Sequence, residues 1–294
     1  MNQNKIIEKL ESTGDYKFLS RYKKPDYYHH DDGSEKKKGI FLDVETTGLS
    51  HEIDKIIEIA LVPFEFSKDG RIFKIHNSYS CLEDPKVPLT EKIIALTGLT
   101  DEMLAGKSFD VDAINKVVES THLIVAHSAA FDRKMVERRF PVFIEKAWGC
   151  SQTQIPWKEE NFSSSALDYL AYKFGYFYEA HRAENDCLAG IRLLSMKLPN
   201  SKNLVLDVLI KNADKKVWRV WAKGMAFSKK DILKNRGYNY YGGQKTWYIE
   251  IDKANIESEL EYLEKEIYDG KKKDLPISTI TAFNRFSERT EGYS

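Results

Sequence analysis

Two acidic residues stand at alternate positions where the first apolar segment of the chain ends. Asp43 and Glu45 close the run that begins at Gly39, and Thr46-Thr47-Gly48 follows them. Side chains two residues apart on a strand share one face of a sheet, so both carboxylates would point the same way. Such adjacent like charges favour a neutralising cation, and their oxygens are ligands that Mg²⁺ and Mn²⁺ prefer. The spacing therefore indicates a divalent metal site or, more simply, solvated acids at a strand exit.

Three further polar residues occupy the ends of other elements. Asp132 follows the apolar run 123–126 and opens a helix, while His181 and Asp186 flank the start of a helix near Ala183. Five residues correspond to about 140° around a helix, so we expect His181 on the preceding loop and Asp186 facing inward from the second turn. A loop imidazole can take a proton from water. Taken alone, each residue also fits a structural role, as an acid near a helix N-terminus or a surface histidine.

The elements that must position these residues alternate between strand and helix patterns. Strand-like runs, with a hairpin signal at Asp69-Gly70, cover residues 39–44, 56–66, 71–81 and 123–126. Helical patterns cover residues 90–96, 111–120, 129–140, 165–174 and 183–197. An antiparallel opening followed by alternating elements predicts an α/β domain with a mixed sheet flanked by helices.

Length and composition limit the class of protein. A chain of 294 residues allows one large and one small domain, and 45 Lys and Arg against 45 Asp and Glu exclude a uniformly basic coat. Three separated cysteines, Cys81, Cys150 and Cys187, exclude a disulfide scaffold. No apolar run approaches the ~20 residues that span a bilayer, and residues 1–11 lack the apolar segment of a secretory signal. We therefore expect a cytoplasmic protein without membrane contact.

Composition divides the chain into four stretches. We expect an N-terminal extension at 1–38 (a short helix and an exposed loop), the α/β domain at 39–198, a small α/β unit at 200–270 and a loose polar tail at 271–294. In the small unit, strands are expected at 217–222 and 246–251, and helices at 204–210, 229–235 and 256–267.

The small unit is locally basic and aromatic. Between Lys202 and Tyr248 there are eleven Lys and Arg against three Asp and Glu, interleaved with tryptophan, tyrosine and phenylalanine. Basic groups neutralise phosphates and aromatic rings stack on bases, so the unit could bind nucleic acid. The candidate contacts are Arg219, Lys223, Lys229, Lys230 and Arg236. Alternatively, the aromatic residues form the core of the unit and the lysines keep it soluble.

Three segments together resemble a known family. Residues 41–48 (Phe-Leu-Asp-Val-Glu-Thr-Thr-Gly), 125–132 (Val-Ala-His-Ser-Ala-Ala-Phe-Asp) and 181–186 (His-Arg-Ala-Glu-Asn-Asp) are similar to the three motifs of DEDDh (DnaQ-like) 3′–5′ exonucleases. This family includes the proofreading epsilon subunit of bacterial DNA polymerase III. The chain departs from the usual pattern at Ser128, where Asn is common, and at residues 97–100, where Thr-Gly-Leu-Thr replaces His-Gly-Ile-Thr. These departures concern substrate-strand contacts.

The resemblance implies an RNase H-like fold with a mixed five-stranded sheet flanked by helices. It also implies that Asp43, Glu45, Asp132 and Asp186 hold two divalent cations, Mg²⁺ or Mn²⁺, and that His181 is the general base. In such a site activity should rise with pH as the imidazole loses its proton. Around the 3′-terminal nucleotide, the family pattern places Thr46, Thr47, Gly48 and Phe131, which could equally form an ordinary turn and a core aromatic.

The expected function is a two-metal 3′–5′ exonuclease that releases 5′-mononucleotides from DNA, in proofreading, repair or nucleic-acid clean-up. An exoribonuclease that trims RNA 3′ ends or short oligonucleotides is an alternative, because the sequence does not reveal the sugar pocket. A second alternative is a polymerase-associated nucleic-acid-binding subunit with incidental nuclease activity. The expected partners are nucleic-acid 3′ ends, DNA more than RNA, and a DNA polymerase complex.

Overall fold

The computed structural model describes residues 3–292, so residues 1, 2, 293 and 294 of the expected terminal segments lie outside it. The strands are Ser20–Arg21 (β1), Lys37–Thr46 (β2), Ile56–Phe66 (β3), Ile72–Ile75 (β4), Tyr79–Leu82 (β5), Leu123–Ala126 (β6), Trp148–Cys150 (β7), Tyr176–Phe177 (β8), Val217–Trp221 (β9), Asn239–Tyr241 (β10), Thr246–Ile251 (β11) and Ile277–Ile280 (β12). The α-helices are Gln3–Glu11 (α1), Glu91–Thr97 (α2), Asp101–Leu104 (α3), Val111–Glu119 (α4), Ala129–Arg139 (α5), Leu167–Lys173 (α6), Ala183–Leu194 (α7), Val205–Asp214 (α8), Lys230–Asn235 (α9) and Ile256–Tyr262 (α10). Short 3₁₀ turns lie at Pro141–Phe143, Phe227–Lys229, Lys253–Asn255 and Glu288–Thr290, and a π-helical turn at Leu263–Ile267 continues α10.

The central sheet has the strand order β4-β3-β2-β6-β7, and β5 also pairs with β3. The β2–β3 and β3–β4 pairs are antiparallel, whereas β6 pairs in parallel with β2 and β7. Strands β5 and β4 pair with successive parts of β3, at Glu58–Leu61 and at Phe64 and Phe66. The sheet is therefore five strands wide, with one edge strand interrupted, and the predicted mixed α/β fold of RNase H type is confirmed.

Alternate residues of β2 face two different cores. Ile40, Leu42 and Val44 pack in the cluster that includes α4 and α5, whereas Phe41 packs in the cluster that includes α6, α7 and α8. Since side chains alternate along a strand, Asp43 and Glu45 share the face of Phe41. The first acidic pair is thereby directed toward the side of the sheet on which α7 lies.

Gly190 allows α7 to lie close against β2. A Cβ atom added at Gly190 would lie 2.1 Å from Cζ of Phe41. Any larger residue would have to displace a fully buried aromatic ring, because protein interiors are close-packed. This glycine therefore sets the distance between the helix that carries Asp186 and the strand that carries Asp43.

The small C-terminal unit is a separate antiparallel sheet with the order β10-β11-β9-β12. Its core includes Val220, Leu233, Leu263 and Ile267, which join β9 to the helical segments. Helix α8 does not belong to this core, because Val205, Leu206 and Leu209 are buried with the central sheet. The small unit therefore begins at β9, later than the boundary predicted at residue 200.

The tail predicted to be loose is ordered over the described part of residues 271–294. Strand β12 pairs with β9, and the chain then returns to the central domain, where the backbone N–H of Trp148 donates to the carbonyl of Ala282. Its polar composition misled the prediction because the polar groups bind other parts of the protein. At the N-terminal end, β1 similarly pairs with β8 in place of part of the expected exposed loop.

Candidate active site

Three acidic side chains meet at the junction of β2 and α7. One carboxylate oxygen from each of Asp43, Glu45 and Asp186 lies within 4.8 Å of the other two. The strand supplies the first two because alternate residues share a face, and the helix supplies the third from its first turn. The expected inward orientation of Asp186 is thus observed, one turn earlier than the sequence suggested.

Asp132 approaches the same cluster from α5. It lies in the first turn of that helix, is 3% exposed, and its carboxylate interacts with the backbone N–H of Val44, between Asp43 and Glu45. Its negative charge also raises the pKa of Asp43. Asp132 lies outside the tightest three-residue group but within electrostatic reach of it.

Burial and mutual repulsion make the acidic cluster unfavourable as a set of free anions. Burial, followed by the charges of Asp132 and Asp186, raises the pKa of Asp43 well above its ordinary 3.8. Burial and the charges of Asp186 and Glu58 raise the pKa of Glu45 to about 7, and burial raises the pKa of Asp132 to about 8. An all-oxygen set of closely spaced carboxylates fits hard divalent cations, which would favour the ionised forms.

The loop that precedes α7 is organised around Asp186. The hydroxyl of Tyr178 donates to Oδ1 of Asp186 at 2.9 Å, and the backbone N–H groups of His181 and Arg182 donate to Oδ2 at 2.8 and 3.2 Å. Burial raises the pKa of Asp186, and these hydrogen bonds partly oppose the shift. His181 itself is exposed and has a left-handed backbone with φ of 65°, so its ring is accessible to water beside the cluster.

The turn after β2 is held by an acid that the sequence analysis did not single out. Oγ1 of Thr47 donates to Asp54 at 2.8 Å, Oγ1 of Thr46 donates to the carbonyl of Gly48 at 2.5 Å, and a Cβ at Gly48 would lie 2.6 Å from Asp54. The turn is therefore compact.

Phe131, next to Asp132, is partly buried against the core on the α5 side.

Two other residues were missed by the sequence analysis, Glu58 and Tyr178. Glu58 pairs directly with Glu45 across the β2–β3 ladder and is 1% exposed. Its signal was an acid enclosed by apolar residues near the start of β3, since an acidic side chain is seldom fully buried without partners. Tyr178 carried no comparable signal.

The five candidate contacts of the C-terminal unit have different environments. Arg219 is 8% exposed, pairs with Glu250 and donates to the carbonyl of Thr290, so it does not lie where a phosphate could reach it. Arg236 and Lys229 form ion pairs with acidic residues of the same unit, Glu259 and Asp269. Lys223 is exposed, and the amine of Lys230 lies 4.4 Å from the ring centre of Phe227, which is 79% exposed.

The fold and the acidic cluster together define a nuclease of the DnaQ-like, DEDDh type. The family model described as RNase T exonuclease matches residues 40–194, which is more than half of the chain. The chain belongs to this exonuclease family.

Curated relatives are bacterial replication proteins. The DNA polymerase III PolC-type of Clostridium perfringens is 37% identical over 169 residues, covering 55% of this chain and 11% of that protein. The PolC-type enzyme of Listeria monocytogenes is 32% identical over 170 residues, with the same coverage of 55% and 11%. The chain thus spans about a tenth of the length of these relatives.

Solved structures that resemble the chain include two exonucleases. A structure of exonuclease I has 16% identity and a TM-score of 0.49, covering 84% of this chain and 63% of that one. Exonuclease X in complex with 5′ overhanging duplex DNA has 23% identity and a TM-score of 0.41, covering 59% and 92%. Within residues 3–292, no helix has both the length and the apolar character to cross a membrane.

Proposed function

We propose that this protein is a 3′–5′ exonuclease that removes 5′-mononucleotides from the 3′ end of DNA. The observation that carries the proposal is the approach of Asp43, Glu45 and Asp186 within 4.8 Å, with buried Asp132 beside them. These residues come from a strand and two helices, so the sequence motifs become one site only in the folded chain. Proofreading, repair and nucleic-acid clean-up are the roles that such an activity serves.

The four acids would hold two divalent cations, Mg²⁺ or Mn²⁺. When bound, such cations stabilise the charge of a phosphodiester under attack and increase the acidity of a water molecule. The contribution of the chain is to place oxygen ligands on rigid elements. Tyr178 supports this role, because its hydroxyl donates to the carboxylate of Asp186 and fixes its orientation.

His181 would act as the general base. Its exposed position next to the acidic cluster allows the ring to accept a proton from water and to pass it to solvent. Thr46, Thr47 and Gly48 would present backbone groups to the terminal nucleotide, and Phe131 would pack near its base. The compact turn held by Asp54 supports this arrangement, because a rigid turn presents its backbone groups in fixed directions.

DNA is the favoured substrate because the curated relatives are DNA polymerases of the PolC type. An association with a polymerase remains part of this proposal. In the C-terminal unit, Lys223 and Lys230 are the proposed nucleic-acid contacts, with Phe227 as a stacking surface beside Lys230. Arg219 is withdrawn from that set because it is buried.

The proposal is tested by digestion of oligonucleotides labelled at either end. With Mg²⁺ or Mn²⁺, 5′-labelled DNA should shorten stepwise and 3′-labelled DNA should release a labelled mononucleotide at once. Matched RNA should be degraded more slowly. Asp43→Asn should abolish both reactions, whereas Asp207→Asn, which changes an acid of α8 that is paired with Lys211 outside the cluster, should not. Release of mononucleotides from the 5′ end, or no degradation with either cation, would contradict the proposal.

A further inference from the structure

Glu58 is a fully buried acid that faces the start of α7. It lies on β3, is 1% exposed and is paired in register with Glu45 of β2. Its Oε1 accepts from Nη2 of Arg182 at 2.9 Å, Nε of Arg182 lies 3.3 Å from both carboxylate oxygens, and Oε2 accepts from the backbone N–H of Ala183 at 3.2 Å. A buried carboxylate is thus compensated by one guanidinium and one helix N-terminal amide.

Three consecutive backbone N–H groups at this point are captured by two carboxylates. Those of His181 and Arg182 donate to Asp186, and that of Ala183 donates to Glu58. Asp186 belongs to the same helix and moves with it. Within residues 3–292, Glu58 therefore supplies the hydrogen bonds that fix residues 181–183 to the central sheet.

This attachment bears directly on His181. The residue has a left-handed backbone with φ of 65°, a conformation that a non-glycine residue adopts only when its surroundings hold it. Glu58 is paired with Glu45 in the β2–β3 ladder. The Glu58 side chain therefore connects the loop that carries His181 to the strand next to Asp43 and Glu45.

We propose that Glu58, acting through Arg182 and Ala183, is a positioning residue that holds His181 in register with the acidic cluster. This inference rests on the proposed exonuclease function and adds a residue to it. Glu58 itself does not touch substrate in this proposal. Its loss should lower the rate of the chemical step while leaving substrate binding largely unchanged, because a misplacement of about 1 Å can reduce a rate by about 100-fold.

The experiment compares Glu58→Gln with the wild type in steady-state digestion of 5′-labelled DNA. The expected result is a fall in kcat of about 10-fold to 100-fold, with KM changed by less than about two-fold. In a His181→Asn background, Glu58→Gln should lower the residual rate by less than about two-fold, because residues that act as one unit are not additive. Arg182→Gln should reproduce this pattern, and it carries the test if Glu58→Gln does not fold.

Two further measurements do not depend on catalytic turnover. Hydrogen exchange of the peptide that covers residues 179–186 should become faster in Glu58→Gln, and Mn²⁺ affinity measured by calorimetry should stay within about two-fold of wild type. The matched control is Glu259→Gln, which removes another buried acid paired with an arginine, Arg236, in the C-terminal unit. This control should change neither kcat nor exchange at residues 179–186.

The outcomes separate this inference from the proposed function. If wild-type protein degrades no DNA, the proposed function fails. If the wild type is active and Glu58→Gln retains full kcat, or lowers the rate equally in the His181→Asn background, the positioning role is wrong. A large loss of Mn²⁺ affinity in Glu58→Gln would also overturn it, by assigning Glu58 to the metal site instead.

Discussion

Asp132 and Arg133 are adjacent on α5 and both are buried, yet their side chains contact different parts of the molecule. Asp132 joins the acidic cluster, whereas the guanidinium of Arg133 donates to Glu137 of its own helix and to the carbonyls of Ala282 and Phe283 in the C-terminal segment. One turn of helix thus connects the site to the returning tail. The C-terminal segment is therefore attached at the base of an element that carries a proposed metal ligand.

This attachment predicts a large loss of stability for Arg133→Met. The substitution removes a buried guanidinium that pairs with Glu137 and donates to carbonyls of the C-terminal segment. Breaking a buried pair costs about 3–5 kcal/mol, and we expect the lower end because Ser287 and Arg289 still donate to Glu137. Urea unfolding should show the loss. Arg139→Met, which removes a half-exposed ion pair with Glu83 from the same helix, should cost less than about 1 kcal/mol. Similar costs for both variants would contradict the role of Arg133.

Gly190→Ala should destabilise the protein and reduce activity together. The added methyl group would overlap the ring of Phe41, and overpacking of a core costs about 1–3 kcal/mol. Relief of the overlap would move α7, with Asp186, away from β2. The double variant Gly190→Ala with Phe41→Leu should recover part of both properties. Gly242→Ala, where a Cβ meets nothing within 4 Å, is the control, and an equal effect there would reject this explanation.

The metal-free protein should become less stable as pH rises from about 4 to 8. The pKa of Glu45 rises from 4.5 to about 7 and that of Asp132 from 3.8 to about 8 in the folded state. Between the unfolded and folded pKa values the folded state binds more protons, so the free energy of unfolding decreases with pH. Below about pH 4 both states are protonated and these groups contribute no slope.

Thermal unfolding in EDTA across this pH range measures the effect. Mn²⁺ should raise the midpoint most at pH 8, because the cation favours the ionised carboxylates that the metal-free fold disfavours. Asp43→Asn should raise the midpoint in EDTA at pH 8 and reduce the gain from Mn²⁺, since burial and like charges also raise the pKa of Asp43. A thermal unfolding midpoint that rises with pH in EDTA would show that repulsion between the carboxylates of the cluster does not destabilise the metal-free protein.

The sequence predicted those elements whose signal is local. The bounds of β3, residues 56–66, and of β6, residues 123–126, follow directly from their apolar runs. Thr90, the predicted first residue of a helix, is the N-cap of α2. The acids of the cluster were also predictable, because each lies at the end of such an element. Their motifs do not depend on the contacts of the rest of the chain.

The remaining features depend on distant contacts that a linear pattern does not contain. Glu58 gains its place in the site from strand register and from Arg182, which lies 124 residues later. Arg219 is a residue type that often contacts phosphate, but here it is buried between the C-terminal strands and the tail. The tail itself is polar and still ordered, because Arg133 satisfies its carbonyls from the central domain.

His181→Asn should separate the chemistry of the ring from the strain of its backbone. Asn tolerates the left-handed conformation found at residue 181 but cannot act as a base at neutral pH. We expect turnover to fall by roughly 10²-fold to 10⁴-fold, the usual cost of a lost general base, with little change in stability. His181→Ala should lose similar activity and, in addition, about 1 kcal/mol of stability from backbone strain. The control is His30→Asn, an exposed histidine of the N-terminal extension, which should retain wild-type turnover. Full activity of His181→Asn at neutral pH would show that another group accepts the proton.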